Sequence, residues 1–335
     1  MSVILGNTVP VPCARRPGVF AGGFGKDGAR PAQSPPMPAL SRRQLVVLAL
    51  LTLVWGLNWP VMKMGVAHFP PLTFRMASLW LGLPILAAVI GVRKLPFTIA
   101  RAHWGRVALL ALTNMVLWHV LMILAIPQLS SGRAAILGYT MPIFSAVLGA
   151  LVFGDRLAGR AWVGVGAALV GVLLLLWHEI GALGGRPLGV TLMLVSAASW
   201  AMGTQLLRRL TVPVPLLTLS FWMVAITCVV LTVLALAFER ERWVAPDAQA
   251  WAAILYNGLL ALGFAQTAWF FLVRTLPPVA STLSVMMIPV LGVFSGALWL
   301  GEVLHWQDWT AVGLMAVAIG TVLWPARAVQ AQEFK

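Results

Sequence analysis

The sequence predicts an all-α membrane protein of ten transmembrane helices, arranged as two inverted five-helix repeats with both termini in the cytoplasm. Three observations predict this fold: the composition, a series of long apolar runs, and an internal repeat. Of the 335 residues, 60% are hydrophobic and only 10% are charged, whereas a soluble globular protein has about 25% charged residues. Most of the chain must therefore be solvated by hydrocarbon, and the lipid bilayer is a predicted partner.

The net charge of +14 could indicate a nucleic-acid partner, since basic patches bind phosphates. Here, however, Lys and Arg occur singly or in pairs between apolar runs, as topology signals do. We therefore expect no nucleic-acid partner. Cys13 and Cys228 are far apart and the five histidines are scattered, so we expect neither a metal site nor a cofactor.

Residues 1–40 are rich in Gly and Pro and lack the apolar core of a secretory signal, which predicts a disordered cytoplasmic extension. From residue 45 onward, apolar runs recur, each long enough to cross roughly 30 Å of hydrocarbon. They cover residues 45–64, 71–91, 105–126, 130–153, 159–178, 188–207, 214–238, 251–272, 277–300 and 306–325. The short loops between them leave no room for an extramembrane domain.

The distribution of Lys and Arg predicts the orientation. With the N-terminus inside, the cytoplasmic loops and tail hold 13 basic residues and the opposite loops hold six. Both termini are therefore expected in the cytoplasm, and residues 328–335 form a short cytoplasmic tail.

A shift of 147 residues aligns 142–177 with 289–324, and twelve of these 36 positions are identical. The identities include a proline, several glycines and two tryptophans, which shared hydrophobicity alone would not align. The chain thus divides into a first repeat, 41–180, and a second, 181–327. Because five helices is an odd number, the second repeat is inverted. Inverted repeats are typical of alternating-access transporters, whose binding site lies near the midplane between the halves.

The segments MPIFSAVLGALVFGD and IPVLGVFSGALWLGE resemble the fourth helix of each EamA repeat in the drug/metabolite transporter superfamily. WGLNWPVMK is similar to that family's first helix, and PLTFRMAS to its second. The resemblance implies a carrier of the bacterial inner membrane, often an exporter of amino acids or other small metabolites. Asp155 departs from the usual Glu, and the 16 tryptophans leave the substrate class open.

Polar side chains inside hydrocarbon cost roughly 2.5–3.5 kcal/mol, so each one is a candidate site residue. On the first helix, Trp55, Asn58 and Trp59 share one face with Met62, which suits a pocket wall; an interfacial tryptophan belt is the alternative. Lys63 is expected to extend to the lipid headgroups.

His119 lies deep in the third span, and the 147-residue shift pairs it with Gln266. Both halves thus place a hydrogen-bonding side chain at the same depth, and the stripe continues to Trp269. No acidic residue lies in the middle of a span, so any proton coupling would have to use His119, since histidine is the side chain whose unperturbed pKa lies near neutral pH. Uniport is the alternative.

Arg75 resembles the arginine of the family's second helix and either binds a substrate carboxylate or anchors the outer end. Trp200 aligns with Trp55 under a shift of 145 residues. Two further binding candidates, Tyr139 and Ser284, precede prolines at which we expect the helix to kink and free a backbone carbonyl. The expected kinks are at Pro60, Pro142 and Pro289.

Asp155 and Glu302 end the fourth and ninth spans, where capping or ion pairing is expected. The leading hypothesis is an exporter of a small metabolite. An importer or uniporter and a non-transporting sensor or scaffold are the alternatives. A membrane-embedded enzyme is disfavoured because no Ser/His/Asp, Cys/His or paired-carboxylate constellation is present. The sequence predicts neither the substrate nor the oligomeric state.

Overall fold

A computed structural model describes residues 41–155, 159–181, 187–275 and 278–323. Throughout this part of the chain the regular elements are helices, as the apolar runs predict. The predicted N-terminal extension and C-terminal tail lie outside the described residues.

The helical stretches, numbered here α1 to α10 in chain order, begin and end within a few residues of the predicted apolar runs. They are α1 Arg42–Gly65, α2 Pro71–Val92, α3 Arg101–Gln128, α4 Ser131–Leu151, α5 Gly159–Gly181, α6 Pro187–Arg209, α7 Leu216–Phe238, α8 248–275, α9 Pro278–Leu300 and α10 Trp306–Leu323. Within the described residues, seven helices are long and apolar enough to cross a membrane: α1 to α4, α6, α7 and Ala248–Trp269 of α8. Shorter apolar helices, Trp162–Leu174 and Met287–Leu300, lie within α5 and α9.

Local sequence signals determine where several helices begin. Ser41 and Gln44 form a capping box at the start of α1, which satisfies N–H groups that have no partner within the helix. Asp247 caps α8 by accepting from the backbone N–H of Ala250 at 2.7 Å. Pro70 and Pro215 stand at the N-cap positions of α2 and α7, which the 145-residue shift places in register.

The outer surface of the helices is apolar. Val92, Leu298 and Trp177 are 84%, 80% and 77% exposed, and many other large apolar side chains point outward with them. In water such a surface would drive aggregation, so it indicates a protein surrounded by lipid.

Helices of one repeat pack mainly against helices of the other repeat. The first helix of each repeat packs against the fourth of the other, α1 on α9 and α6 on α4. The second helix of each packs against the third of the other, α2 on α8 and α7 on α3, while α5 packs on α10. The centre of the molecule therefore lies between helices of both repeats.

Backbone details also repeat. Gly154 and Gly301, aligned by the 147-residue shift, both have positive φ, 73° and 64°, a conformation that glycine adopts readily. A π-helical segment, Ala111–Val116, interrupts α3, and Tyr256–Phe264 interrupts α8; the same shift makes them overlap. Such segments are rare overall, and those that occur often lie at functional sites.

The three prolines at which kinks are expected differ in their surroundings. Pro60 and Pro289 lie inside helices that the structure shows as continuous. Pro142 lies at the start of the helical segment Met141–Leu151. The helical hydrogen bonding of α4 is interrupted just before this segment, at Tyr139 and Thr140. The break lies beside the centre of the molecule.

Candidate substrate-binding site

A cavity of about 160 Å³ lies at the centre, between the two repeats. Helices α1, α2, α3, α4, α6 and α8 contribute its walls. The lining residues are Trp55, Asn58, Trp59, Met62, Arg75, Leu79, Met115, Trp118, His119, Met122, Tyr139, Met141, Trp200, Asn257, Ala261, Leu262 and Gln266.

Most of the candidates chosen from the sequence meet here. The eight that line the cavity are Trp55, Asn58, Trp59, Arg75, His119, Tyr139, Trp200 and Gln266. Trp269 packs behind the wall, with its ring centroid 5.8 Å from that of Trp55. The side chain of Ser284 lies outside the described residues. That these residues bind substrate stays a prediction.

The α1 stripe faces the cavity as a helical period requires. Trp55 donates its indole N–H to the backbone oxygen of Ala261 at 3.2 Å, in the π-helical part of α8. Trp59 meets Tyr139 edge to face, with ring centroids 6.5 Å apart. Two aromatic side chains of the cavity wall are thus held by partners on other helices.

Asn58 shows a different situation. Its Oδ1 is buried and has no hydrogen-bond partner among the described residues. A buried acceptor left unpaired costs about 1–3 kcal/mol. Asn58 is at the same time one of the residues that line the cavity.

Arg75 is the centre of a polar network. It is 8% exposed, and its Nε and Nη2 lie 3.2 and 2.8 Å from His119 Nδ1. Its Nη1 donates to Asn257 Oδ1 at 3.0 Å and contacts the sulfur of Met62 at 3.8 Å. Guanidinium has no acceptor, so Nδ1 must be the acceptor and the proton of the neutral imidazole lies on Nε2.

All of these partners are neutral. In the described part of the chain, no carboxylate is paired with Arg75, and the cavity lining contains no Asp or Glu. The cavity therefore has one permanent positive charge, held by dipoles alone.

Asn257 was not among the candidates. It is 2% exposed, it lies in the π-helical segment of α8, and its Nδ2 donates to the oxygen of Ala253 at 3.1 Å. An amide within an apolar span carries the same insertion cost as Asn58, and that signal could have identified it. The internal repeat did not indicate Asn257, since the 147-residue shift pairs it with the apolar Leu110.

Glu239 fixes the helix that carries Arg75. Its buried carboxylate accepts from the backbone N–H groups of Leu72 and Thr73, at 3.0 and 2.8 Å, and from Thr73 Oγ1 at 2.8 Å. Pro70, at the N-cap, provides no side-chain cap, so Glu239 supplies it from α7. The first turn of α2, which directly precedes Arg75, is thereby held in place.

Polar contacts join several helices at the end of the molecule at which α1 ends, called here the predicted outer end. Lys63 Nζ lies 3.0, 3.0 and 2.7 Å from the carbonyl oxygens of Ile126, Pro127 and Leu129. The expectation that Lys63 extends to headgroups is therefore wrong. The last carbonyls of α3 have no partner within their helix, and they attract the ammonium group.

Glu302 and Asp308 join α4 at the same end. Glu302 accepts from the N–H and Oγ of Ser131 at 2.6 and 2.8 Å, and from the N–H of Gly132 at 3.3 Å. Arg133 Nε lies 2.8 Å from Asp308 Oδ1, with side chains only 11% and 5% exposed. Glu302 thus caps α4, a helix of the other repeat, whereas caps usually act on a neighbouring segment.

Asp155, the counterpart of Glu302, lies at the opposite end in an ion pair. Arg209 Nη2 lies 2.7 Å from its Oδ2, and the two side chains are 30% and 44% exposed. Gln205 is buried beside this pair, where it bonds Ser145 and both arginines at the end of α6. Gln205 therefore belongs to this contact and not to the cavity.

Two stretches of the chain, residues 43–177 and 187–324, match the EamA-like transporter family. The "uncharacterized inner membrane transporter YedA" of Escherichia coli (strain K12) is 29% identical over 297 residues, 85% of this chain and 93% of that protein. The "uncharacterized transporter YoaV" of Bacillus subtilis (strain 168) is 26% identical over 253 residues, 75% of this chain and 87% of that protein.

A "probable amino-acid metabolite efflux pump" of Escherichia coli (strain K12) is 27% identical over 275 residues, covering 78% of this chain and 89% of that protein. A solved crystal structure superposes with a TM-score of 0.60 at 17% identity, over 84% of this chain and 96% of that one. At this identity the structural match shows the fold alone.

Proposed function

Because the chain belongs to the EamA-like transporter family, we propose that it is an alternating-access exporter of amino acids or related small amphipathic metabolites. In this proposal ten helices span the bacterial inner membrane, and both termini are cytoplasmic. The observation that carries it is the central cavity, whose walls come from both repeats. A site shared by two inverted repeats can be exposed to either side by their relative movement.

The two ends of the molecule differ in their polar contacts. The predicted outer end has the Lys63 contacts, the Glu302 cap and the buried Arg133–Asp308 pair. The opposite end has the more exposed pair of Asp155 and Arg209. In this proposal the better-paired outer end opens less readily, so that the carrier loads from the cytoplasm. The efflux pump named above supports the same direction and an amino-acid metabolite as substrate.

Counterflow in proteoliposomes tests the transport activity. Vesicles loaded with a pool of unlabelled metabolites are expected to accumulate the labelled form of the one that the protein carries. Trp59→Ala should abolish this flux by removing a cavity wall, while Trp162→Ala, at a position 48% exposed on the outer surface, should retain it. No counterflow with any metabolite would favour the sensor or scaffold alternative.

Direction requires a second measurement. Cells that express the protein should release more of the substrate than cells that express Trp59→Ala. Faster uptake of the same compound, without faster release, would favour the importer alternative.

A further inference from the structure

We propose that the protein binds the headgroup of an anionic phospholipid where α2 ends and α3 begins, outside the central cavity. In the proposed topology this end of the molecule faces the cytoplasm. The headgroup is held by four positive side chains, called here the basic surface, and a pair of tryptophans places that surface at the level of the lipid headgroups. The basic surface consists of Arg93, Lys94, Arg101 and Arg106.

The charge of the basic surface is not balanced by the protein around it. Arg93 and Lys94 directly follow α2, whereas Arg101 and Arg106 lie in the first turns of α3. All four residues are exposed. Residues 91–110 contain no Asp or Glu, and no ion pair involves the four within the described residues. Arg106 donates to the backbone oxygen of Thr211 at 2.8 Å, which is a neutral partner. The four charges therefore favour an anion from outside the chain.

The equivalent linker of the second repeat shows that this excess charge is not a general property of the fold. That linker joins α7 to α8, and its acidic and basic residues nearly balance. They are Glu239, Glu241 and Asp247 against Arg240 and Arg242. The linker between α2 and α3, residues 93–100, has basic residues alone.

Hydrogen bonds from α7 hold the linker between α2 and α3 in place. Thr218 Oγ1 donates to the backbone oxygen of Pro96 at 2.8 Å. The indole N–H of Trp222 donates to the backbone oxygen of Phe97 at 2.7 Å. A basic residue that only sets the topology of a span needs no such fixation. Because the backbone between the charges is already ordered, binding an anion there loses little conformational entropy.

The neighbouring side chains fit the rest of a lipid molecule. Trp104 and Trp222 meet edge to face, with ring centroids 5.0 Å apart, and tryptophan is enriched at the level of the headgroups. Val92 beside Arg93 is 84% exposed, and Leu109 and Leu112, farther along α3, are 42% and 47% exposed. A headgroup on the basic surface thus has an apolar surface next to it for its acyl chains.

These properties together favour a phospholipid over a soluble anion. A free phosphate would meet the positive charges but would gain nothing from the tryptophans or the exposed apolar side chains. Basic residues at the cytoplasmic ends of membrane helices attract anionic headgroups. A zwitterionic headgroup carries its own cation, which the basic surface repels. The ligand is therefore a phospholipid of net negative charge, such as phosphatidylglycerol.

Lipid binding to the purified wild-type protein in detergent tests the proposal, with bound lipid counted by native mass spectrometry. The probes are phosphatidylglycerol, phosphatidylcholine with the same acyl chains, and glycerol phosphate. Phosphatidylglycerol should bind about tenfold more tightly than either of the others, because only it offers both a net negative charge and acyl chains. Equal binding of the two lipids, or of glycerol phosphate and phosphatidylglycerol, would overturn the proposal.

Variants assign the lipid to the basic surface. The double change Arg93→Gln and Lys94→Gln should weaken phosphatidylglycerol about tenfold and leave phosphatidylcholine unchanged. The matched control is Arg240→Gln with Arg242→Gln, which removes the same charge from an exposed turn after α7 and should change neither. If the first double variant does not fold, Arg101→Gln should weaken phosphatidylglycerol about fivefold.

Two results with the variants would contradict the proposal. An equal loss in the control pair would show that the lipid responds to the total charge of the protein. An unchanged affinity after removal of charges from the basic surface would show that the lipid binds elsewhere. Counterflow is a separate measurement, so either result leaves the proposed transport function standing.

Discussion

At the scale of single residues, the state of the cavity depends on how Arg75 is held when no substrate is present. His119 accepts from two of its nitrogens and Asn257 from the third. Both acceptors are neutral, so they can orient the guanidinium without neutralising it. The cation keeps its position and its charge for an incoming anion.

Replacement of His119 tests whether its only role is to accept hydrogen bonds from Arg75. His119→Gln retains an acceptor of similar reach, and counterflow should stay within about threefold of the wild type. His119→Leu leaves two N–H groups of Arg75 unpaired, which costs about 1–3 kcal/mol, and flux should fall by about tenfold or more. If the glutamine variant is as inactive as the leucine variant, the imidazole has a further role such as proton transfer.

Gly138 tests the position of a cavity wall. A Cβ at this glycine would lie 2.7 Å from Cη2 of Trp59, so Gly138→Ala must move the indole. We expect counterflow to fall about tenfold, as a shift of a positioning group by about 1 Å can cost that much or more. In the control Gly91→Ala, the added methyl meets open space. Because alanine favours a helix more than glycine does, the free energy of unfolding should rise by up to about 1 kcal/mol. Equal flux in both variants would contradict the argument.

The polar lining could be predicted in part from single residues. The cost of burying Asn58, Arg75 and His119 in hydrocarbon marked them without any knowledge of packing. Glu239 and Lys63 could not be assigned in this way. Their partners lie on helices distant in sequence, and only the packing of those helices decides which orphan N–H or carbonyl groups they meet.

At the scale of helices, the two repeats use their equivalent carboxylates, Glu302 and Asp155, in different contacts. The 147-residue shift matches Ser131, which gives Glu302 both an N–H and a hydroxyl, with Pro278. Proline has no N–H to give, and Asp155 pairs with Arg209 instead. This sequence difference between the repeats is one of those that make the two ends of the molecule chemically unequal.

Loss of the Glu302 cap should destabilise the protein. Glu302→Ala removes the acceptor of two backbone N–H groups and one hydroxyl at the start of α4, and such caps contribute about 0.5–2 kcal/mol. The thermal unfolding midpoint should fall accordingly, whereas Glu241→Ala, on an exposed turn, should leave it unchanged. Glu302→Gln, which keeps one oxygen acceptor, should fall between them. An unchanged midpoint for Glu302→Ala would show that the cap adds nothing.

Helix positions followed from hydropathy because a span must satisfy its backbone internally. The boundaries of α1, α2 and α7 agree with the predicted runs within a few residues. The break in α4 and the π-helical segments of α3 and α8 could not be located in this way. The break in α4 follows Gly138, which lies against Trp59 of α1, and no periodicity records such a contact between helices.

At the scale of the whole molecule, the unequal ends predict how the access equilibrium responds to mutation. With Cys13 and Cys228 replaced, a cysteine at Met141, in the cavity lining, reports access of a membrane-impermeant maleimide. Glu302→Gln should increase labelling from outside by about fivefold, the factor that about 1 kcal/mol gives. We expect a state open at that end to lack the cap, so that weakening the cap favours this state.

Asp155→Asn is the matched change at the other end and should increase labelling from the cytoplasmic side instead. Labelling that rises from both sides in either variant would indicate general loosening. Labelling that rises in neither would contradict the assignment of these contacts to access.

The exchange of partners between the repeats has a consequence for synthesis. A chain that has produced only its first five helices has no α9 for α1, no α6 for α4 and no α8 for α2. Arg75 is then in the membrane before Asn257 exists. The first repeat therefore lacks most of its packing partners until the second repeat is inserted. The cavity is complete only when the second repeat is in place, because α6 and α8 supply part of its wall.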